Sequence, residues 1–148
     1  MAKKFLGALL LLLPITCLAA ERRELEICAT RDGIVLLSVK VAGRPHLFIL
    51  DSAGMTTVNS SLALSQTTGR KTSAVTAFGV LTESYGLARV TLDFGGGYFV
   101  TTDVPIHDLK AVEQRLKRPI GGVVGYDILR DWKRLTIDRE KGKLILER

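Results

Sequence analysis

A chain of 148 residues has room for one compact core, which argues against a two-domain enzyme. Apolar residues make up 47% and charged residues 24%, a balance too apolar for intrinsic disorder. The formal charge of +6 comes from Lys and Arg scattered among acids rather than collected with aromatics, so nucleic-acid binding has little support.

Lys3 and Lys4 are followed by an apolar run from Phe5 to Leu13, by Pro14, and by the small residues Ala19 and Ala20. That order is the three-part pattern of a secretory signal, so residues 1–20 are read as a signal peptide and residues 21–148 as the mature domain. The run falls short of the roughly 20 apolar residues of a membrane-crossing helix, so no stable membrane span is expected. The expected destination is the periplasm or the medium. A lipid-modified Cys17 is the weaker alternative, because Pro14 and Thr16 stand where it would need small residues. Loss of Cys17 with the signal leaves Cys28 as the single thiol, which excludes an internal disulfide, and a small buried apolar role is expected for it.

In chain order, Glu24 to Ala29 reads as a short strand and Arg31-Asp32-Gly33 as a turn. Ile34 to Val41 and His46 to Leu50 are β-type runs around Ala42-Gly43-Arg44-Pro45, a hairpin whose second strand runs into Asp51. From Asp51 to Ser61 the residues favour turns and extended backbone, with a short helical turn at Leu62 to Leu64. A second hairpin spans Ala74 to Thr82, with Gly79 near a tip that glycine makes mobile. Leu87 to Phe94 and Tyr98 to Ile106 are strands joined by Gly95-Gly96-Gly97, and Leu109 to Leu116 is helical, with Val112 and Leu116 on one face. Ile120 to Gly125 reads as a buried strand punctuated by glycine and Tyr126 to Trp132 as a short helix. Leu135 to Asp138 and Lys143 to Leu146 form a closing hairpin. Strands dominate, with two or three short helices, so the fold class is all-β and the architecture a closed, barrel-like one.

The informative feature for chemistry is a carboxylate at the end of an apolar strand, in Leu47-Phe48-Ile49-Leu50-Asp51-Ser52-Ala53-Gly54. An ionised Asp leaving a buried run has to be hydrogen-bonded, paired or neutralised, because an uncompensated buried charge costs several kcal/mol. Locally, Asp-Ser-x-Gly is also ordinary turn chemistry. The other acids compete poorly: Asp127 reads as a surface or capping residue, Asp138 as a turn residue, and Asp93 and Asp103 as residues at strand ends. His46 and His107 lack metal-ligand spacing, no Cys-His cluster occurs, and the Gly-x-Ser-x-Gly elbow of a serine hydrolase is missing. No metal and no cofactor is implied.

The whole layout resembles the bacterial retropepsin-like aspartic peptidases over nearly all of the mature region. The residues that carry the resemblance are Val39 to Pro45, the apolar strand into Asp51-Ser52, the glycine-bearing hairpin, Ile120 to Leu129, and Leu135 to Asp138. The resemblance implies that Asp51 is catalytic and that Ser52, Ala53 and Gly54 form its loop. It implies further that Phe78, Gly79 and Val80 lie at the tip of a substrate-covering flap, and that Val123, Val124 and Gly125 brace the loop. The family works with two carboxylates sharing one proton, and this chain offers one such loop, so a homodimer acting on peptide or protein substrates is implied. Where the family has glycine as the third loop residue this chain has Ala53. That exchange implies an alternative, a peptide-binding or structural module without hydrolysis.

Overall fold

The computed structural model describes residues 21–29, 32–65, 73–75 and 81–148. The expected signal (1–20) and the hairpin-tip residues Phe78, Gly79 and Val80 lie outside that set. Strands β2 (Val35–Val41) and β3 (Arg44–Asp51) form the first hairpin, in which Val41 pairs with Arg44 across a two-residue turn. Ala42 (φ 50°) and Gly43 (φ 79°) both take positive φ there, the pattern whose twist suits a tight hairpin. The break is therefore shorter than the four residues expected, and Arg44 and Pro45 belong to β3.

After a short β4 (Thr57–Asn59) the chain makes a 3-10 turn at Ser60–Leu62, two residues earlier than expected, because the Asn59 side chain caps it by accepting from the Ser61 N–H. Next, β5 (Ser73–Val75) pairs antiparallel with β6 (Leu81–Asp93), and β6 pairs with β7 (Phe99–His107). The sequence suggested separate strands before and after residue 85, yet β6 runs through both as one. An irregularity between Ser84 and Leu87 takes up one extra residue relative to β7, and Gly86, at φ 128°, supplies a backbone conformation that L side chains avoid. Helix α1 (Lys110–Leu116), β8 (Gly122–Gly125) and the four-residue α2 (Tyr126–Leu129) follow, then the hairpin of β9 (Arg134–Asp138) and β10 (Lys143–Glu147). The expected helix through Trp132 is cut to one turn.

The strand order β6-β7-β4-β8-β3-β2 closes on itself through Lys40↔Asp93 and Val41↔Leu92, so these strands form a closed barrel. Closure removes the exposed edges that an open sheet would leave. Leu37, Val39, Phe48, Val58, Val90, Leu92 and Val124 fill the interior, while Leu36 and Ile49, on the opposite face of the β2–β3 hairpin, pack with Val112 of α1 and Ile120. Burial on both faces explains why Val35 to Leu37 and Leu47 to Leu50 read as unbroken apolar stretches within these strands.

Strand β1 (Arg22–Ala29) is shared: Ile27 to Ala29 pair with β2, while Arg22 to Glu26 leave the barrel and pair with β10. Leu25 is buried and Ile27 packs against the core, so alternation turns Glu24, Glu26 and Cys28 outward. Cys28 is exposed, with its Sγ 3.7 Å from Nη1 of Arg118, and this corrects the buried role expected for it.

The turn of the last hairpin is organised by Asp138, whose Oδ1 accepts the Lys141 N–H at 3.0 Å while Oδ2 lies 3.3 Å from Lys141 Nζ. The backbone hydrogen bond from Lys141, more than its charge, holds the Asp138 carboxyl below the usual value of 3.8. A folded pKa below the unfolded one means that the carboxylate favours the folded hairpin above about pH 4 and loses that contribution as pH falls through the folded value. Carboxyl-detected NMR titration should accordingly place the Asp138 midpoint below 3.8. A midpoint at or above that value would show that the turn does not bind the ionised form.

Candidate active site

Three strands fix the position of Asp51. β8 runs parallel to β3, with Asp51 opposite Gly125, and antiparallel to β4, with Thr57 opposite Val123 and Val58 opposite Gly122. The chain thus leaves β3 at Asp51, crosses the end of β8, and returns as β4 on the other side. Residues 52–56 are the crossing. It lies directly on the backbone of Gly125: a Cβ built there would stand 2.4 Å from Met55 C and Thr56 N and 2.5 Å from the Gly54 carbonyl oxygen. The Tyr126 N–H donates to that same carbonyl at 2.8 Å. Val123, Val124 and Gly125 therefore sit beside and beneath the loop.

Within the loop the Asp51 carboxylate folds back on the backbone. Oδ1 accepts the N–H of Ala53 at 3.0 Å and of Gly54 at 3.1 Å, and the Gly54 N–H also approaches the Asp51 carbonyl at 3.2 Å. Two amide donors on one carboxylate oxygen fix its direction. A Cβ at Gly54 would lie 2.7 Å from Asp51 Oδ2 and 3.0 Å from its Cγ. Within the loop the tighter position is therefore Gly54, where an added methyl group would have to turn the Asp51 carboxylate. Ala53 is exposed and is not among the residues with positive φ, so its methyl group strains nothing.

The far end of the loop is tied by a pair that the sequence did not single out. Thr56, 1% exposed, donates its N–H and its hydroxyl to Asp127 Oδ1, each at 2.7 Å, and its Oγ1 accepts the Gly125 N–H at 2.9 Å. Asp127 is half-buried and anchors the loop, which corrects the surface or capping role expected for it. Replacing Thr56 with Val keeps the shape but leaves a buried carboxylate oxygen short of a donor and the Gly125 N–H without its acceptor. The expected cost is about 1–3 kcal/mol, read as a lower urea midpoint. An unchanged midpoint would show that the three-way contact is not needed.

Asp51 and Ser52 line an open cavity of about 500 Å³ together with Ile49 and with Leu135, Ile137 and Arg139 of the last hairpin. Asp51 is the one carboxylate among the described residues lining it. Met55 within the loop and Tyr126, whose N–H the loop accepts, are 65% and 55% exposed. Such an arrangement can take or give a proton at one oriented carboxyl group beside an apolar groove. Among the described residues no helix is long and apolar enough to cross a membrane.

Among solved structures the chain is similar to the crystal structure of a retropepsin-like aspartic protease from Rickettsia conorii, at 17% identity and a TM-score of 0.48, over 87% of this chain and 93% of that one. No protein-family model and no curated protein matches the sequence. By its own strand order this is an all-β protein with a closed barrel of six strands and few helices.

Proposed function

We propose that the protein is an exported aspartic endopeptidase that acts as a homodimer, with Asp51 of each copy supplying one half of the catalytic pair. The observation that carries this reading is the Asp51 carboxylate, oriented by two backbone amides at the rim of an apolar cavity that holds no second acid among its described lining residues. Two such carboxyl groups brought together share one proton, because like charges so close do not both ionise cheaply. The ionised member takes a proton from water, which attacks the peptide carbonyl, and the protonated member donates to the developing oxygen. Peptide lies in the apolar groove that Asp51 and Ser52 line. Residues 1–20 direct export to the periplasm or the medium and are removed.

The test is cleavage of unfolded peptides by the purified protein at mildly acid and neutral pH, beside Asp51→Asn. Equal cleavage by both ends the proposal.

A further inference from the structure

The joined sheet of β1, β10 and β9 ends at β9, which pairs only with β10 among the described residues. Its inner face is unfinished: Leu25, Leu144 and Leu146 are buried, but Leu135 and Ile137, on the same face one strand further out, are 37% and 43% exposed. An uncovered edge with apolar side chains invites another strand.

The sequence of β9 says which strand. Arg134-Leu135-Thr136-Ile137-Asp138 is complementary to itself when reversed. Paired antiparallel with a second copy about Thr136, it sets Arg134 against the partner's Asp138, Leu135 against the partner's Ile137, and Thr136 against the partner's Thr136. The observed registers extend the match outward. Arg22 faces Glu147 and Glu147 faces Arg134, while Asp138 faces Lys143 and Lys143 is ion-paired with Glu26. Across the joined sheets the outer face then carries an unbroken row of alternating sign: Arg22, Glu147, Arg134, and then the partner's Asp138, Lys143 and Glu26. Opposite charges and apolar pairs directly across strands are the units that stabilise such a ladder.

We infer that β9 is the dimerisation edge and that its occupant is β9 of a second copy of this chain. The inference rests on the proposed function in one respect, that the site needs a second Asp51. A two-fold axis through an antiparallel pair stands normal to the sheet, so the same face of both copies lies on the same side. That face includes Leu135 and Ile137, which line the cavity of Asp51. The two Asp51 cavities therefore open side by side across the axis, and the partner's strand completes the uncovered wall.

Sedimentation of the purified protein tests this without reference to cleavage. Arg134→Asp and Asp138→Arg each set like charges across the axis at two symmetric places, and each should raise the dimer dissociation constant about tenfold or more. Mixing the two variants restores opposite charges at both places, so the mixture should dimerise as the parent does, an effect that a folding defect does not produce. Circular dichroism checks that each variant folds; should either fail, Thr136→Lys at the exposed axial position gives the like-charge test instead. A parent that stays monomeric, variants that dimerise as tightly as the parent, or a folded mixture that stays monomeric would overturn the inference. Dimerisation through β9 without peptide cleavage would leave it standing and remove the peptidase reading. Cleavage by a dimer indifferent to these substitutions would do the reverse.

Discussion

Asp51→Asn is expected to lower kcat/KM for an unfolded peptide by about 10²- to 10⁴-fold, the range that a positioned acid or base contributes. Thermal stability should change little. The reason lies in what the carboxylate does locally: Oδ1 accepts the Ala53 and Gly54 amides, and an Asn carbonyl oxygen can accept both in the same place. What the amide cannot do is hold or release the shared proton. A calorimetric midpoint near that of the parent, combined with the lost rate, separates chemistry from folding. In the same assay Ala53→Gly should leave the rate within a few-fold of the parent, since the methyl group of Ala53 is exposed and its backbone takes no positive φ. A silent parent that gains activity with Ala53→Gly would instead favour a module that binds peptide without cutting it.

The parts of the fold that were legible in the sequence are those in which neighbours along the chain are neighbours in space. The β2–β3 and β9–β10 hairpins follow from β-type runs about Ala42-Gly43 and residues 139–142, and Leu109 to Leu116 is helical nearly to the residue. The parallel contact of β3 with β8 was not readable from period or turn chemistry, because residues some seventy positions apart supply it. The Thr56–Asp127 anchor was missed for that reason: Asp127 follows Gly125 at the start of a one-turn helix, and nothing local says that its carboxylate reaches a threonine across the loop. Cys28 was misjudged because thiols are usually buried, whereas the alternation fixed by Leu25 and Ile27 left it no inward place. The tight position at Gly54 is equally illegible in sequence: a Cβ there would meet Asp51 Oδ2 at 2.7 Å, a contact set by how the carboxylate folds back on its own loop.

Gly125→Ala should be far more damaging than Gly54→Ala, the other single-methyl change that touches the Asp51 loop. The backbone of Gly125 sits at φ −104°, ψ −178°, which alanine adopts freely, so the demand for glycine there is one of space alone. All three atoms that a new Cβ would meet within 2.5 Å belong to the backbone of residues 54–56, and none can turn aside as a side chain would. Gly54→Ala differs in kind: its nearest contact is the Asp51 carboxylate, which can rotate, so that variant should keep most of its stability and lose rate instead. Gly125→Ala has to lift the crossing loop off β8, breaking the Tyr126 N–H bond to Gly54 and pulling Thr56 from Asp127. Overpacking of this sort costs about 1–3 kcal/mol where side chains give way and more where backbone must move. A loss of roughly 3 kcal/mol or more, about 10 °C in Tm for a domain of this size, is the expected result. Equal midpoints for Gly125→Ala and the parent would mean that the loop does not cross β8 at this point, and the seat of Asp51 would have to be sought elsewhere.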